Sequence, residues 1–99
     1  MQACVGQKAL SDVKISVRVK YLSAVRDRTN RKEDILMLPV GATLRDVVAW
    51  LAAERDLLWP DPQVMATLNG RGWGQLEHGL DTRLTDDDVI CFFPLISGG

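Results

Sequence analysis

Only one long segment, residues 43–55, has the pattern of an amphipathic helix. Its apolar side chains recur at i, i+3, i+4, i+7 and i+8 and form one stripe: Leu44, Val47, Val48, Leu51 and Ala52. Thr43 is a suitable N-cap, and Asp46 three residues later can complete a capping box. Because one helix covers only one face of a sheet, this feature predicts a small α+β domain for the 99-residue chain.

Strand patterns lie on both sides of this helix. Residues 13–22 alternate between apolar and polar side chains, which is typical of a half-buried strand. Residues 23–30 predict a polar connection with one helical turn around residues 24–28. Residues 31–38 predict a second strand that pairs with the first as an antiparallel hairpin. Three more segments complete the pattern: residues 64–68, a small strand at 73–76, and residues 89–94. The predicted order is β-β-α-β-(β)-β, a mixed sheet wrapped around one main helix.

Two features break the rule that the sheet face opposite the helix is polar. The last strand is apolar on both faces, since Phe93 alternates with Phe92. Leu22 lies on the otherwise polar side of the first strand. Either loops cover that face, or it presents an apolar patch to a partner, and we favour the partner.

Composition excludes several classes of function. Twelve basic against thirteen acidic residues give a net charge of −1, which argues against a nucleic-acid binder. One histidine, His78, argues against most histidine-based catalysis, so we expect no active site in the chain itself. Cys4 and Cys91 form no metal-binding or disulfide framework. No segment is apolar for the ~20 residues that a bilayer requires, so we expect a cytoplasmic protein with no membrane partner.

Two motifs favour structure over chemistry. Residues 70–74 are rich in glycine but precede no helix and no Lys-Ser/Thr pair, so they predict a turn and not a phosphate loop. The three consecutive carboxylates of residues 86–88 cannot all face one cation, and we expect a solvated turn there. The sequence therefore predicts no metal site.

The C-terminus carries the most informative motif. The chain ends in Gly98-Gly99, and the six residues after Phe93 can extend ~20 Å from the domain. Glycine has no Cβ, so Gly98 and Gly99 can enter a channel too narrow for other residues. The α-carboxylate of Gly99 is a group that can be joined to AMP and then attacked by a nucleophile. We expect residues 95–99 to be a flexible tail and residues 1–12 a flexible leader, with the domain at 13–94.

These segments resemble the ubiquitin-like sulfur-carrier family, which includes the small subunit of molybdopterin synthase and the thiamine-pathway carrier. The resemblance lies in residues 19–27, 36–43, 79–86, the Asn69-Gly70 turn and the Phe-Pro…Gly-Gly ending. It implies the β-grasp fold and implies that an E1-like enzyme uses ATP to adenylate Gly99. Sulfur transfer from a sulfurtransferase or cysteine desulfurase then gives a thiocarboxylate.

The resemblance also implies the partners and the contact residues. The carrier itself binds no cofactor, and its loaded tail enters the large subunit of molybdopterin synthase or another sulfur-accepting enzyme. Gly98 lets the tail thread, while Phe93, Leu22 and, with them, Trp73 match positions of the partner interface. Residues 86–88 read Asp-Asp-Asp where the family has Asp-Gly-Asp, and Leu95 replaces a second proline.

Several functions need the same diglycine. A carrier for molybdopterin synthase is the first reading. Carriers for cysteine synthesis, thiamine synthesis or tRNA thiolation come next. A ubiquitin-like modifier that forms isopeptide bonds with lysines is a further alternative. A β-grasp interaction module without tail chemistry, which does not need the diglycine, is the last one.

Overall fold

A computed structural model describes residues 13–95 of the chain. The leader predicted at residues 1–12 and the glycines Gly98 and Gly99 lie outside these residues. The elements follow in the order β1 (Lys14–Tyr21), α1 (Ser23–Thr29), β2 (Glu33–Pro39), α2 (Leu44–Glu54), β3 (Val64–Leu68), β4 (Arg71–Gly72) and β5 (Asp88–Pro94), with 3₁₀ turns at Trp73–Gln75 and Gly79–Asp81 between the last two strands.

The five strands form one mixed sheet in the order β2-β1-β5-β3-β4. β1 pairs with β2 in antiparallel and with β5 in parallel orientation, and β3 pairs antiparallel with both β5 and β4. This confirms the predicted hairpin and the mixed sheet. The parallel pair at the centre places the end of β5 beside the end of β1.

The main helix covers one face of the sheet, which we call the inner face. Leu44, Val47 and Leu51 of α2 are fully buried, and they meet the buried side chains of β1 and β5. The capping interaction predicted at Thr43 is present, since Asp46 Oδ2 accepts the Thr43 N–H at 2.9 Å. These three members of the predicted stripe form the helical layer of the core, whereas Val48 is only partly buried and Ala52 is exposed.

Two parts of the predicted element map are wrong. Residues 23–30, predicted as a connection with one helical turn, contain the seven-residue helix α1, whose Val25 is buried against the core. Residues 73–76, predicted as a small strand, instead begin with a 3₁₀ turn at Trp73–Gln75. Each of these segments is short and has one buried side chain, so its sequence has no period to detect.

Candidate partner-binding face and tail exit

The candidate site begins on the outer face of the sheet, which points away from α2. Alternation along β1 buries Val17, Val19 and Tyr21 and leaves Arg18 and Lys20 outside. In β5 the same alternation buries Phe92 completely and directs the half-buried Phe93 to the outer face. The sheet position predicted for Phe93 is thus the one that the structure shows.

Leu22 lies next to Phe93. The register pairs Tyr21 with Phe92, so Leu22 and Phe93 are the next residues of two neighbouring strands. The Leu22 N–H donates to the Phe92 carbonyl at 3.0 Å, and the Leu22 side chain is 44% exposed. Met65 of β3 pairs with Phe93 on its other side and is 38% exposed. We call Leu22, Phe93 and Met65 the apolar corner.

A second apolar pair lies on the outer face at the opposite side of the sheet. Ile35 and Met37 of β2 pair with Arg18 and Ser16 of β1, and both apolar side chains are about half exposed. Neither these two residues nor Met65 was predicted from the sequence to lie on an interface. The signal was present, because residues 35–38 are apolar on both faces, as is the last strand.

Trp73 has a different environment from the apolar corner. Its side chain is only 5% exposed, and its ring centroid lies 5.4 Å from that of Phe92 and 4.9 Å from that of Trp59. Because Phe92 belongs to the inner face, Trp73 packs in the core of this chain and not on the outer face. The assignment of Trp73 to the partner interface is therefore corrected: its bulk fills the space beneath β3 and β5.

A buried polar network anchors the end of β1 before Leu22. Tyr21 Oη donates to Asp34 Oδ2 at 2.7 Å, and Arg55 at the end of α2 donates to both Asp34 oxygens at 2.9 Å. The hydrogen bonds from Arg55 hold the pKa of Asp34 below its usual 3.8, and burial raises the pKa of Tyr21. The network joins β1, β2 and α2 and so fixes where Leu22 emerges.

The last strand, β5, ends next to the apolar corner. β5 ends at Pro94, and the Leu95 N–H still donates to the Gln63 carbonyl at 2.8 Å. A groove of about 340 Å³ separates this point from α1 and is lined by Val25, Arg28 and Leu95 among others. The described part of the chain thus brings Leu95 close to Phe93 and Met65, while Gly98 and Gly99 lie beyond it.

The carboxylates of residues 86–88 have structural roles. Asp88 is buried and accepts hydrogen bonds from Thr85 and Asn69, and Asp86 accepts the Ser16 N–H at 2.7 Å. The solvated turn expected from the sequence is therefore wrong for Asp88. Asp87 has φ +70°, the left-handed conformation that glycine adopts most easily.

Within residues 13–95, no three His, Cys, Asp or Glu side chains are grouped so that they could hold a metal ion. No helix in the same residues is long and apolar enough to cross a membrane. Cys91 lies half-buried on the outer face, paired in register with Lys20.

Solved structures with this fold define the class of the protein. The chain is 28% identical to the HVO 2177 protein of Haloferax volcanii, over 87% of this chain and 88% of that one, with a TM-score of 0.70. It is 26% identical to a putative molybdopterin converting factor subunit 1 from Pyrococcus furiosus, over 83% and 99% of the chains, with a TM-score of 0.69. Small archaeal modifier protein 1 of Methanosarcina acetivorans shares the fold at 23% identity, over 89% and 100% of the chains, with a TM-score of 0.70. The class is the ubiquitin-like β-grasp, as the resemblance implied.

The sequence itself defines the family. Residues 19–99 match the ThiS family, so the chain belongs to the ThiS family of ubiquitin-like sulfur carriers and modifiers. A comparison with curated proteins found no match. The family expected from residues 19–27, residues 36–43 and the diglycine ending is thereby confirmed.

Proposed function

We propose that this chain is a sulfur carrier that serves as the small subunit of molybdopterin synthase. The observation that carries the proposal is the family match, which extends to Gly99, on a chain whose last strand, β5, ends beside the apolar corner. The similar Pyrococcus furiosus protein, named a putative molybdopterin converting factor subunit, supports this pathway.

The proposed reaction uses the free carboxylate of Gly99. An E1-like enzyme joins this carboxylate to the α-phosphate of ATP and releases pyrophosphate, which leaves an acyl-adenylate. The outer sulfur of a persulfide on a sulfurtransferase or a cysteine desulfurase then displaces AMP and gives an acyl disulfide. A thiol cleaves the sulfur–sulfur bond of this adduct, which forms a disulfide with the sulfur donor and releases the thiocarboxylate. The side chains of the carrier take no part in these steps, and ATP is bound by the activating enzyme.

The carrier contributes an apolar contact surface for its partners and a C-terminal tail that extends from it. Leu22, Phe93 and Met65 offer an apolar contact from which the tail projects, and the absence of a Cβ in Gly98 suits a narrow channel. In the second partner, the large subunit of molybdopterin synthase, the same corner holds the domain while the thiocarboxylate gives up its sulfur. One surface therefore serves successive partners, and they must bind in turn.

The intact mass of the protein from its native host tests this proposal. We expect a population in which sulfur replaces one oxygen, and we expect it to disappear when one residue is appended after Gly99. A ladder of protein conjugates without any thiocarboxylate would instead favour the alternative, a ubiquitin-like modifier.

A further inference from the structure

At both ends of the β3–β5 ladder, a side-chain oxygen accepts one of the two N–H groups of the last residue pair. In a hydrogen-bonded antiparallel pair, each residue donates its N–H to the carbonyl of the other. At one end the Asn69 N–H donates to the Val89 carbonyl at 2.7 Å, but the Val89 N–H donates to the Asn69 side-chain Oδ1 at 2.8 Å. A side-chain oxygen thus takes the reciprocal N–H, and the ladder ends there.

The tail end repeats this arrangement with Asp61. The Leu95 N–H donates to the Gln63 carbonyl at 2.8 Å, whereas the Gln63 N–H donates to Asp61 Oδ1, also at 2.8 Å. The Asp61 carbonyl accepts the Val64 N–H at 3.1 Å, which bends the chain before β3 away from the line of β5. The backbone beyond Gln63 is therefore not aligned to pair with the tail.

Arg28 holds the other oxygen of the same carboxylate. Arg28 Nη1 lies 3.1 Å from Asp61 Oδ2, so the two oxygens have separate partners. The hydrogen bond from the Gln63 N–H, and after it Arg28, lowers the pKa of Asp61. The turn is thus tied to α1, which lies across the groove from Leu95.

On its β1 side, β5 stops making backbone hydrogen bonds earlier than on its β3 side. The last backbone bond from the β1 side is that of the Leu22 N–H to the Phe92 carbonyl, three residues before Leu95. Within the described residues, the Leu95 N–H is then the last backbone group of the tail that the sheet holds. Four residues follow Leu95, and they span at most about 14 Å.

We propose that Asp61 is a positioning residue: by accepting the Gln63 N–H it leaves the Leu95 carbonyl unpaired with β3 and thereby sets how far Gly99 reaches. This inference rests on the proposed function, in which the reach of Gly99 matters. Without the Asp61 carboxylate, the Gln63 N–H can donate to the Leu95 carbonyl, and Leu95 is then held by both of its backbone groups.

The test compares Asp61→Ala with the conservative Asp61→Asn in the full chain. NMR couplings across hydrogen bonds report whether the Gln63 N–H donates to the Leu95 carbonyl. We expect no such coupling in the wild type, a coupling in Asp61→Ala, and none in Asp61→Asn, because the amide oxygen still accepts the Gln63 N–H. For adenylation by the E1-like enzyme, we expect kcat/KM to fall about fivefold in Asp61→Ala, the factor that one net hydrogen bond provides.

The controls separate this inference from the proposed function. Glu77→Ala removes an exposed carboxylate elsewhere, and it should load as the wild type does. Asp61→Ala without the new coupling, or with the coupling but unchanged loading, would overturn the role of Asp61. A wild-type chain that is never adenylated would refute the proposed function instead, while the couplings would still decide whether Asp61 ends the ladder.

Discussion

Phe92 and Phe93 are adjacent in sequence and have opposite environments. Phe92 is fully buried between Tyr21 and the two tryptophans Trp59 and Trp73, while Phe93 lies half-buried on the outer face beside Met65. The pleat of β5 separates a residue that stabilises the fold from one that is free to bind a partner.

The first prediction compares alanine substitutions at these two positions. Phe93→Ala should weaken partner binding by roughly ten- to a hundredfold, because aromatic anchors dominate interfaces and each 1.4 kcal/mol is a factor of about ten. Phe92→Ala should instead cost about 3–5 kcal/mol of unfolding free energy, since it leaves a cavity in the core. Binding titration and urea unfolding of both variants measure the two effects. If Phe93→Ala unfolds more readily than Phe92→Ala, the two faces have been assigned the wrong way round.

A second prediction concerns which part of the outer face the partner covers. Met65 belongs to the apolar corner next to the tail, whereas Met37 lies on β2 at the far side of the sheet. Met65→Lys should lower affinity for the activating enzyme about tenfold, because it places a charge in a contact that excludes water. Met37→Lys is the matched control and should bind as the wild type does. Equal losses for both variants would show that the whole face is covered.

The sequence predicted the architecture better than it predicted the site. The stripe of α2 and the alternation of β1 are long periodic patterns, and the structure has both elements within one or two residues of the predicted bounds. Phe93 and Leu22 were found because they break such a pattern. Trp73 was placed wrongly because a tryptophan in a short aperiodic segment gives no sign of which face it meets.

The polar contacts could not be predicted from the sequence. Asp34, Tyr21 and Arg55 are far apart along the chain, and only the folded sheet and helix bring them within hydrogen-bonding distance. The same holds for Arg28 and Asp61 at the tail exit. Patterns of hydropathy place elements, whereas these pairs depend on how the elements pack.

A third prediction tests the network at Asp34. Tyr21→Phe should lower the unfolding free energy by about 1–2 kcal/mol at neutral pH, because it removes a hydrogen bond to a buried carboxylate.

The depressed pKa of Asp34 means that the stabilisation from its ionised form is complete above the unfolded pKa of 3.8. It should be lost as the pH falls through the lower folded pKa. Urea unfolding of the wild type and of Asp34→Asn at pH 7 and pH 3 measures this loss. The gap in unfolding free energy between the two proteins should be smaller at pH 3 than at pH 7. A gap that stays constant would show that the pKa of Asp34 is the same in the folded and the unfolded protein.

A fourth prediction concerns the left-handed residue Asp87. Asp87→Gly should raise the unfolding free energy by about 0.5–1 kcal/mol, because glycine adopts φ +70° without steric cost. The Asp87 N–H donates to the Ser16 carbonyl, and this bond is retained in the variant. Thermal unfolding detects the change. A clear loss of stability would mean that the Asp87 side chain makes a contact that outweighs the backbone strain.

In the proposed function, the chemistry resides in the carboxylate of Gly99. The most direct test is to measure how far the E1-like enzyme, with ATP and a sulfur donor, loads three chains. The wild type, a chain that lacks Gly99, and a chain with one residue appended should unfold alike, because Gly99 lies outside the domain predicted at residues 13–94. Intact mass should show the AMP adduct and then the thiocarboxylate only on the wild type. Full sulfur loading of the chain that lacks Gly99 would contradict the account.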